Sequence, residues 1–389
     1  MKQISRLFIL ASVIAAILFS SGCYDIRELD RVSIVTGLAV DKAEQPGNIE
    51  LTIQIGKAGA LGGGENVGAP DEKPVQLIDA VGESVMVALE SLRNDNSRIL
   101  FFQHNQVLII GEDQARTGII PYLDTFMRNK ESRFEVWVLV SEGNAKDVLE
   151  TEMELDEVSA VGIAKMIKNH TETSKSLGVR LLDFLSKITE RSASAVAPII
   201  KIVKEEDITR LSLSGLAVFK KGQMTGKLTE DQSIGFSWVI GDLKGGNLSV
   251  ETEKGSAQLT IMSSSSKLKP VFNKDRLQKM KADITGKFII AELTGFEGMK
   301  IEQVIDLLKK GAADSIKKLV MDCYKKSQQL KSDIYGFGSY IYKYHAGRWK
   351  TIEKDWDAVF SNLAFEVDIK VDIQDTGKTS KSPEMEGIR

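Results

Sequence analysis

The apolar positions of this chain fall into two kinds of pattern, one continuous run at the start and periodic stripes everywhere after it. Residues 7–19 contain one polar side chain, Ser12, and are preceded by Lys2 and Arg6. A run of this length suits the core of a secretion signal and falls short of the ~20 residues a spanning helix needs. It closes on Ser20-Ser21-Gly22-Cys23. Small residues followed by a cysteine mark the cleavage point of a lipoprotein signal. Cys23 is therefore predicted to become the first mature residue, with a diacylglyceryl group on its thiol. Position 20 holds Ser where the usual pattern has Leu. The alternatives are an uncleaved anchor with an incidental cysteine, or an ordinary secretory signal cut nearby. Each buried CH₂ contributes about 0.8 kcal/mol, so one acyl chain holds weakly and two hold stably. Everything after Cys23 would then be a water-soluble body outside the cytoplasm.

A charged collar, Tyr24-Asp25-Ile26-Arg27-Glu28-Leu29-Asp30, separates the cysteine from the first periodic segment. Residues 32–41 and 49–55 read as two strands of a hairpin around Pro46-Gly47-Asn48. Residues 56–70 hold six glycines and no periodicity. They lack the Gly-Lys-Ser/Thr ending of a phosphate loop and read as a surface loop. In residues 75–93, Ile78, Val81, Val85, Leu89 and Leu92 share one helical face. Residues 99–110 form an apolar strand region containing His104, and residues 112–129 a helix. Residues 133–141 read as a strand with Val136, Val138 and Val140 opposite Trp137. Helices follow over 145–150, 158–170 and 177–189. Strands alternating with helices predict a mixed sheet covered by helices.

Residues 193–204 are extended and lead to a boundary at Glu205-Glu206-Asp207. Hairpin patterns follow: 211–220 with 224–228, 248–252 with 257–262, then a strand over 283–293. The longest element spans 301–331. Its apolar stripe runs from Ile301 through Leu308, Ala312, Ile316 and Val320 to Cys323, with lysine pairs on the other side. A sheet-covering helix is the ordinary use of such a stripe. Residues 364–373 alternate Phe365, Val367, Ile369, Val371 and Ile373 with polar side chains, as a half-buried strand does. The expected fold class is α+β: three domains of mixed α/β sheets packed with helices, and a long helix in the C-terminal one. The expected segments are a signal peptide at 1–22 and an N-terminal α/β region at 23–204, its two subdomains separated around the glycine loop. A C-terminal α+β domain at 205–374 and a polar tail at 375–389 complete the chain.

Composition narrows the function. The chain has 389 residues, 42% apolar and 27% charged, as in an ordinary globular protein. Without Lys2 and Arg6 it carries 49 basic and 54 acidic residues, a charge near −5. That balance gives no reason to expect nucleic acid. Of the two cysteines, Cys323 is left without a partner if Cys23 is lipidated, and its place on an apolar stripe predicts a buried, inert thiol. His104, His170 and His345 are too far apart for metal-ligand spacing. No Gly-x-Ser-x-Gly elbow, Walker loop or Rossmann loop is present. These residues point to a tethered extracytoplasmic protein with no catalytic, cofactor or metal site.

The motifs carry further. Gly22-Cys23-Tyr24-Asp25-x-Arg27-Glu28-Leu29, then Ile34-Val35-x-Gly37-x-x-x-Asp41-Lys42, closely resembles the start of the spore germinant-receptor C subunits, the Ger(x)C lipoproteins. The resemblance continues through residues 104–112, Arg128, Arg133 and Trp137-Val138-Leu139-Val140. It resumes at Gly215-Leu216-Ala217-Val218-Phe219, Gly226 and Leu228, and closes with Asp333-Ile334-x-Gly336-Phe337-Gly338, Trp349, Trp356, the last strand and Gly377. Tyr24 stands where the family usually has Trp, and the family's Pro near His345-Ala346 is absent. The resemblance implies a non-enzymatic lipoprotein on the outer face of the cell membrane, the spore inner membrane. It implies two integral-membrane partners, the A and B subunits, in a receptor that triggers germination when nutrients arrive. Because the tether fixes their distance from the lipid, Asp25, Arg27, Glu28 and Leu29 are expected at the contact with those partners.

Two other classes compete with this one. A solute-binding lipoprotein delivering a ligand to a transporter would have two similar α/β lobes, whereas the halves here differ in pattern. A lipid-anchored enzyme acting on envelope polymers would need a motif that is missing.

Overall fold

A computed structural model describes residues 31–57, 73–128, 135–169, 174, 176–190, 192–206 and 208–375. Its strands form two sheets. In the first, β1 (Val32–Lys42) and β2 (Ile49–Gly56) make the expected hairpin, with Gly47 at φ +85° in the turn. β3 (Val75–Gly82) pairs antiparallel with β2 along its whole length. A continuous helix over 75–93 is therefore corrected to a strand followed by α1 (Val85–Asp95). The apolar residues of this segment fit both periods, and pairing with β2 decides, because it satisfies the backbone groups of the strand. Helix α1 starts where Ser84 Oγ accepts a hydrogen bond from Val87 N at 3.3 Å.

The strand region at 99–110 is two strands, β4 (Ile99–Phe101) and β5 (Val107–Gly111), both parallel to β1 and separated by a 3₁₀ turn at Phe102–His104. The helix expected at 112–129 is broken into α2 (Glu112–Thr117) and α3 (Ile120–Arg128) by Gly118, whose φ of +133° no helix contains. Next come β6 (Trp137–Ser141), α4 (Ala145–Glu150), α5 (Ser159–Lys168), α6 (Leu181–Thr189) and β7 (Ala195–Glu205). Strands β5, β6 and β7 all run parallel to β1. Apolar side chains fill both faces of the sheet. Val138 and Val140 pack under α1, α3 and α6, while Trp137 and Leu139 pack under α4 and α5.

The sheet does not stop at residue 205. Strand β8 (Ile208–Lys220) folds back on β7, with Glu205 opposite Ile208, and β9 (Gln223–Leu228) pairs with β8. The sheet order is β3-β2-β1-β5-β6-β7-β8-β9, with β4 beside β1. The glycine loop likewise leaves from β2 and returns to β3, its direct neighbour.

The second sheet has the order β10-β11-β12-β13, from β10 (Asn247–Glu251), β11 (Gly255–Asn273), β12 (Arg276–Gly295) and β13 (Ala364–Asp375). Two helices cover it, α7 (Glu230–Ile240) and the long α8 (Ile301–Gln329). Val304, Leu308, Ala312, Ile316, Val320 and Cys323 of α8 are buried as its stripe requires. Between α8 and β13 lie three short helices, α9 (Phe337–Tyr344), α10 (Ala346–Ile352) and α11 (Trp356–Asn362). One apolar cluster joins this assembly to Val196, Leu216, Val218 and Leu228 of the first sheet. The mixture of sheets and helices is α+β.

Candidate functional site at the end of the first sheet where β1 starts

Cys23, Asp25, Arg27, Glu28 and Leu29 lie outside the described residues, as do Arg133, His170, Asp207, Gly377 and most of the glycine loop. Their point of attachment is nonetheless fixed, because the chain enters the fold at Val32, the first residue of β1. Nine residue steps separate Cys23 from Val32, a stretch of chain that can span at most about 30 Å. The start of β1 lies beside Ile99 of β4 and close to the end of β2, where Ile34 faces Gly56. An open groove of about 790 Å³ lies there. Ile34, Ile55, Ile78 and Leu92 supply its apolar lining, and Lys57, Asp79, Asp95 and Arg98 its charges.

Parallel pairing carries this end across the sheet. The starts of β1, β5, β6 and β7 share it, together with the end of β8. Three strand spacings separate β1 from β7, about 14 Å. The C-terminal helices are pinned here. Ser194 N donates to the Asp333 carbonyl at 3.0 Å, and Ser339 Oγ donates to Glu190 Oε2 at 2.6 Å. Lys220 Nζ pairs with Asp357 at 2.7 Å and donates to the Lys331 carbonyl at 2.6 Å. These partners are more than a hundred residues apart, and no sequence pattern links them.

Asp333 organises this corner. Its Oδ1 accepts from Phe337 N at 3.0 Å, and its Oδ2 from Gly338 N at 2.8 Å and Trp356 Nε1 at 3.2 Å. Burial pushes its carboxyl up to about 6, against the opposing pull of those donors. Gly336 takes φ +71°, and a Cβ on Gly338 would sit 2.6 Å from Ser192 Cβ. Trp349 packs edge-on against Trp356 at 5.3 Å. The motif Asp333-Ile334-x-Gly336-Phe337-Gly338 and the two tryptophans thus build one joint.

A second motif residue acts alike at the other end. Asp41 accepts from Ala145 N at 2.7 Å and Lys146 N at 2.9 Å, closing the first turn of α4. Burial raises its pKa although both N–H groups oppose the shift. Lys146 Nζ then bridges Glu50 and Asp79 at 3.0 Å each. Gly37 is packed so tightly that an added Cβ would lie 2.8 Å from Ala160 Cβ.

Among the described residues the remaining chemistry-bearing side chains do not converge. His104 is exposed in its 3₁₀ turn beside Phe101, and the His345 ring lies tilted against Phe272 at 5.3 Å. Cys323 is fully buried, and burial pushes its thiol up to about 12. Among the described residues no group of three or more His, Cys, Asp or Glu side chains could hold a metal ion. No helix among them is long and apolar enough to cross a membrane. The two sheets differ in strand number and order, so the paired lobes of a solute-binding architecture are not found among the described residues.

Two family descriptions match the chain in succession. "Spore germination protein N-terminal domain" covers residues 25–202, and "Spore germination B3/GerAC like, C-terminal" covers residues 214–377. The chain belongs to the GerAC-like spore germination protein family. Among curated relatives from Bacillus subtilis (strain 168), spore germination protein YndF is 25% identical over 382 residues, covering 92% of this chain and 93% of the relative. Spore germination protein B3 is 22% identical over 389 residues, covering 98% and 100%. The crystal structure of the GerBC protein superposes with a TM-score of 0.54 at 20% identity, covering 90% of this chain and 99% of that one. This GerAC-like chain therefore has the GerBC fold. The two family segments end and resume within the β7–β8 hairpin.

Proposed function

We propose that the chain is the lipid-anchored C subunit of a nutrient germinant receptor, working in spore germination through association with integral-membrane A and B subunits. The observation that carries the reading is the family match over both halves of the chain, beginning two residues after Cys23. Relatives that align along nearly their whole length are named spore germination proteins KC, B3 and A3. The side chains singled out by the family motifs are structural: Asp41 and Asp333 bind the N–H groups of helix starts, Gly336 turns the chain into α9, and Gly37 and Gly338 allow close packing.

On this reading Cys23 holds the body against the outer face of the cell membrane, which in a spore is the inner membrane. Asp25, Arg27, Glu28 and Leu29 then lie between lipid and the start of β1, where the A and B subunits reach them. The deciding experiment is intact-mass analysis of membrane-extracted protein beside Cys23→Ala. The expected result is a mature chain starting at Cys23 with two or three acyl chains, and loss of both acylation and membrane retention in the variant. Unmodified protein cut elsewhere would overturn the anchor. Reversing Arg27 and Glu28 together is expected to reduce co-purification with the A and B subunits while leaving acylation intact. Unchanged co-purification would remove the collar from the interface.

A further inference from the structure

Residues 337–352 contain Lys343, Arg348 and Lys350 and no acidic residue, and three tyrosines recur at 340, 342 and 344. Helix α9 turns Phe337 and Ile341 into the core, both fully buried, and leaves Tyr342 and Tyr344 57% and 58% exposed. The outward side chains are held in place. Tyr340 and Tyr344 lie 4.7 Å apart, Lys343 Nζ sits 5.2 Å from the Tyr344 ring, and Arg348 covers Phe272 at 4.2 Å. Arg348 pairs with Asp275, 3.7 Å away and 89% exposed.

Position gives this patch its meaning. Ser339 bonds Glu190 and Ser192 just before β7, so α9 begins at the end of the first sheet from which the tether departs. Tyr342 and Tyr344 are about 5–8 Å further along the helix. A tether of about 30 Å keeps that end near the lipid. Tyrosine settles at the headgroup level of a bilayer, with its ring in the apolar boundary and its hydroxyl in water. Basic side chains are drawn to anionic lipid within a Debye length of it.

We propose that Tyr340, Tyr342 and Tyr344 of α9, with Lys343, Arg348 and Lys350, rest on the anionic phospholipid headgroup layer and orient the tethered body. The inference rests on the acylated Cys23 of the proposed function.

Spin labelling of the full acylated chain tests both together. With Cys23 acylated and Cys323 buried, Tyr342→Cys introduces one reactive thiol. Ile208→Cys provides a control at the start of β8, the end remote from the tether, where Ile208 is 55% exposed. The chain is reconstituted in phosphatidylcholine vesicles with and without phosphatidylglycerol. The label at 342 is expected to favour collision with oxygen over a water-soluble nickel chelate, more so with phosphatidylglycerol and less at high salt. The label at 208 reports water throughout. Replacing Lys343, Arg348 and Lys350 singly by Gln weakens the contact about fivefold per charge. Protein that floats with the vesicles while its label at 342 matches that at 208 would overturn the orientation and leave the anchor standing. Protein that fails to float would overturn the anchor and this inference with it. A label that is immobilised only when the A and B subunits are added, without oxygen contact, would assign the patch to a protein partner instead and overturn the lipid contact.

Discussion

Asp333 carries three donors with one carboxylate, and its titration is visible from outside. Its folded-state value near 6 lies above the usual 3.8. Below about pH 3 the group is protonated in both states. Between about 4 and 6 the unfolded chain releases the proton while the folded chain retains it, so stability falls as pH rises through that window. The difference in unfolding free energy between wild type and Asp333→Asn should shrink by about 2 kcal/mol from pH 4 to pH 6 and level off above about pH 7. Urea titrations at four or five pH values would read this, and a constant difference would show that Asp333 is ionised throughout. The asparagine amide also turns a donor towards Gly338 N or Trp356 Nε1, so the variant should be the less stable chain wherever it is compared. At this scale the sequence singled out Asp41, Asp333, Gly336 and Gly338 by type. It could not name Ala145, Ser192 or Trp356 as what they touch, because a residue's partner is set by the fold and not by spacing.

Among elements, legibility followed how far one period excluded the other. Strands β1 and β2, the β8–β9 hairpin and helix α8 were readable because their apolar residues fit one repeat only. The segment 75–93 fitted two, and the free edge of β2 chose between them. Helix α7 escaped because its buried Gly235, Phe236, Ser237, Trp238 and Val239 are consecutive and go round the helix, so it presents no stripe. Its sequence signal was the capping box of Thr229 and Gln232. Helices α7 and α8 touch at Gly235, where a Cβ would lie 2.2 Å from the Leu319 carbonyl oxygen. Gly235→Ala should therefore force the pair apart and cost about 1–3 kcal/mol despite alanine's better helix propensity. A urea midpoint equal to or above wild type would mean that the two helices can separate freely.

Across the whole molecule, the boundary that composition suggests at 205 falls in the loop of a hairpin, and two strands beyond it finish the first sheet. A fragment of residues 23–204 would expose β7 as a long unpaired edge, the arrangement that promotes edge-to-edge association. It should elute as aggregates on size exclusion, whereas a fragment carried through residue 228 should give a larger monomer fraction. Equal monomer yields would show that β7 needs no partner. The end of the first sheet where β1 starts was legible only in part. The cysteine and collar stand in the sequence, but that β1, β7 and the Asp333 joint share one end emerges only from strand direction. The same hairpin bears on how members of this family can exchange parts. A crossover at residue 205 would transplant β8 and β9 along with the C-terminal half. Donor Leu216, Ala217, Val218 and Phe219 would have to fit a recipient β7 with which they never evolved. Chimeras joined beyond residue 228 keep each sheet within one parent and should be the ones that retain cooperative folding.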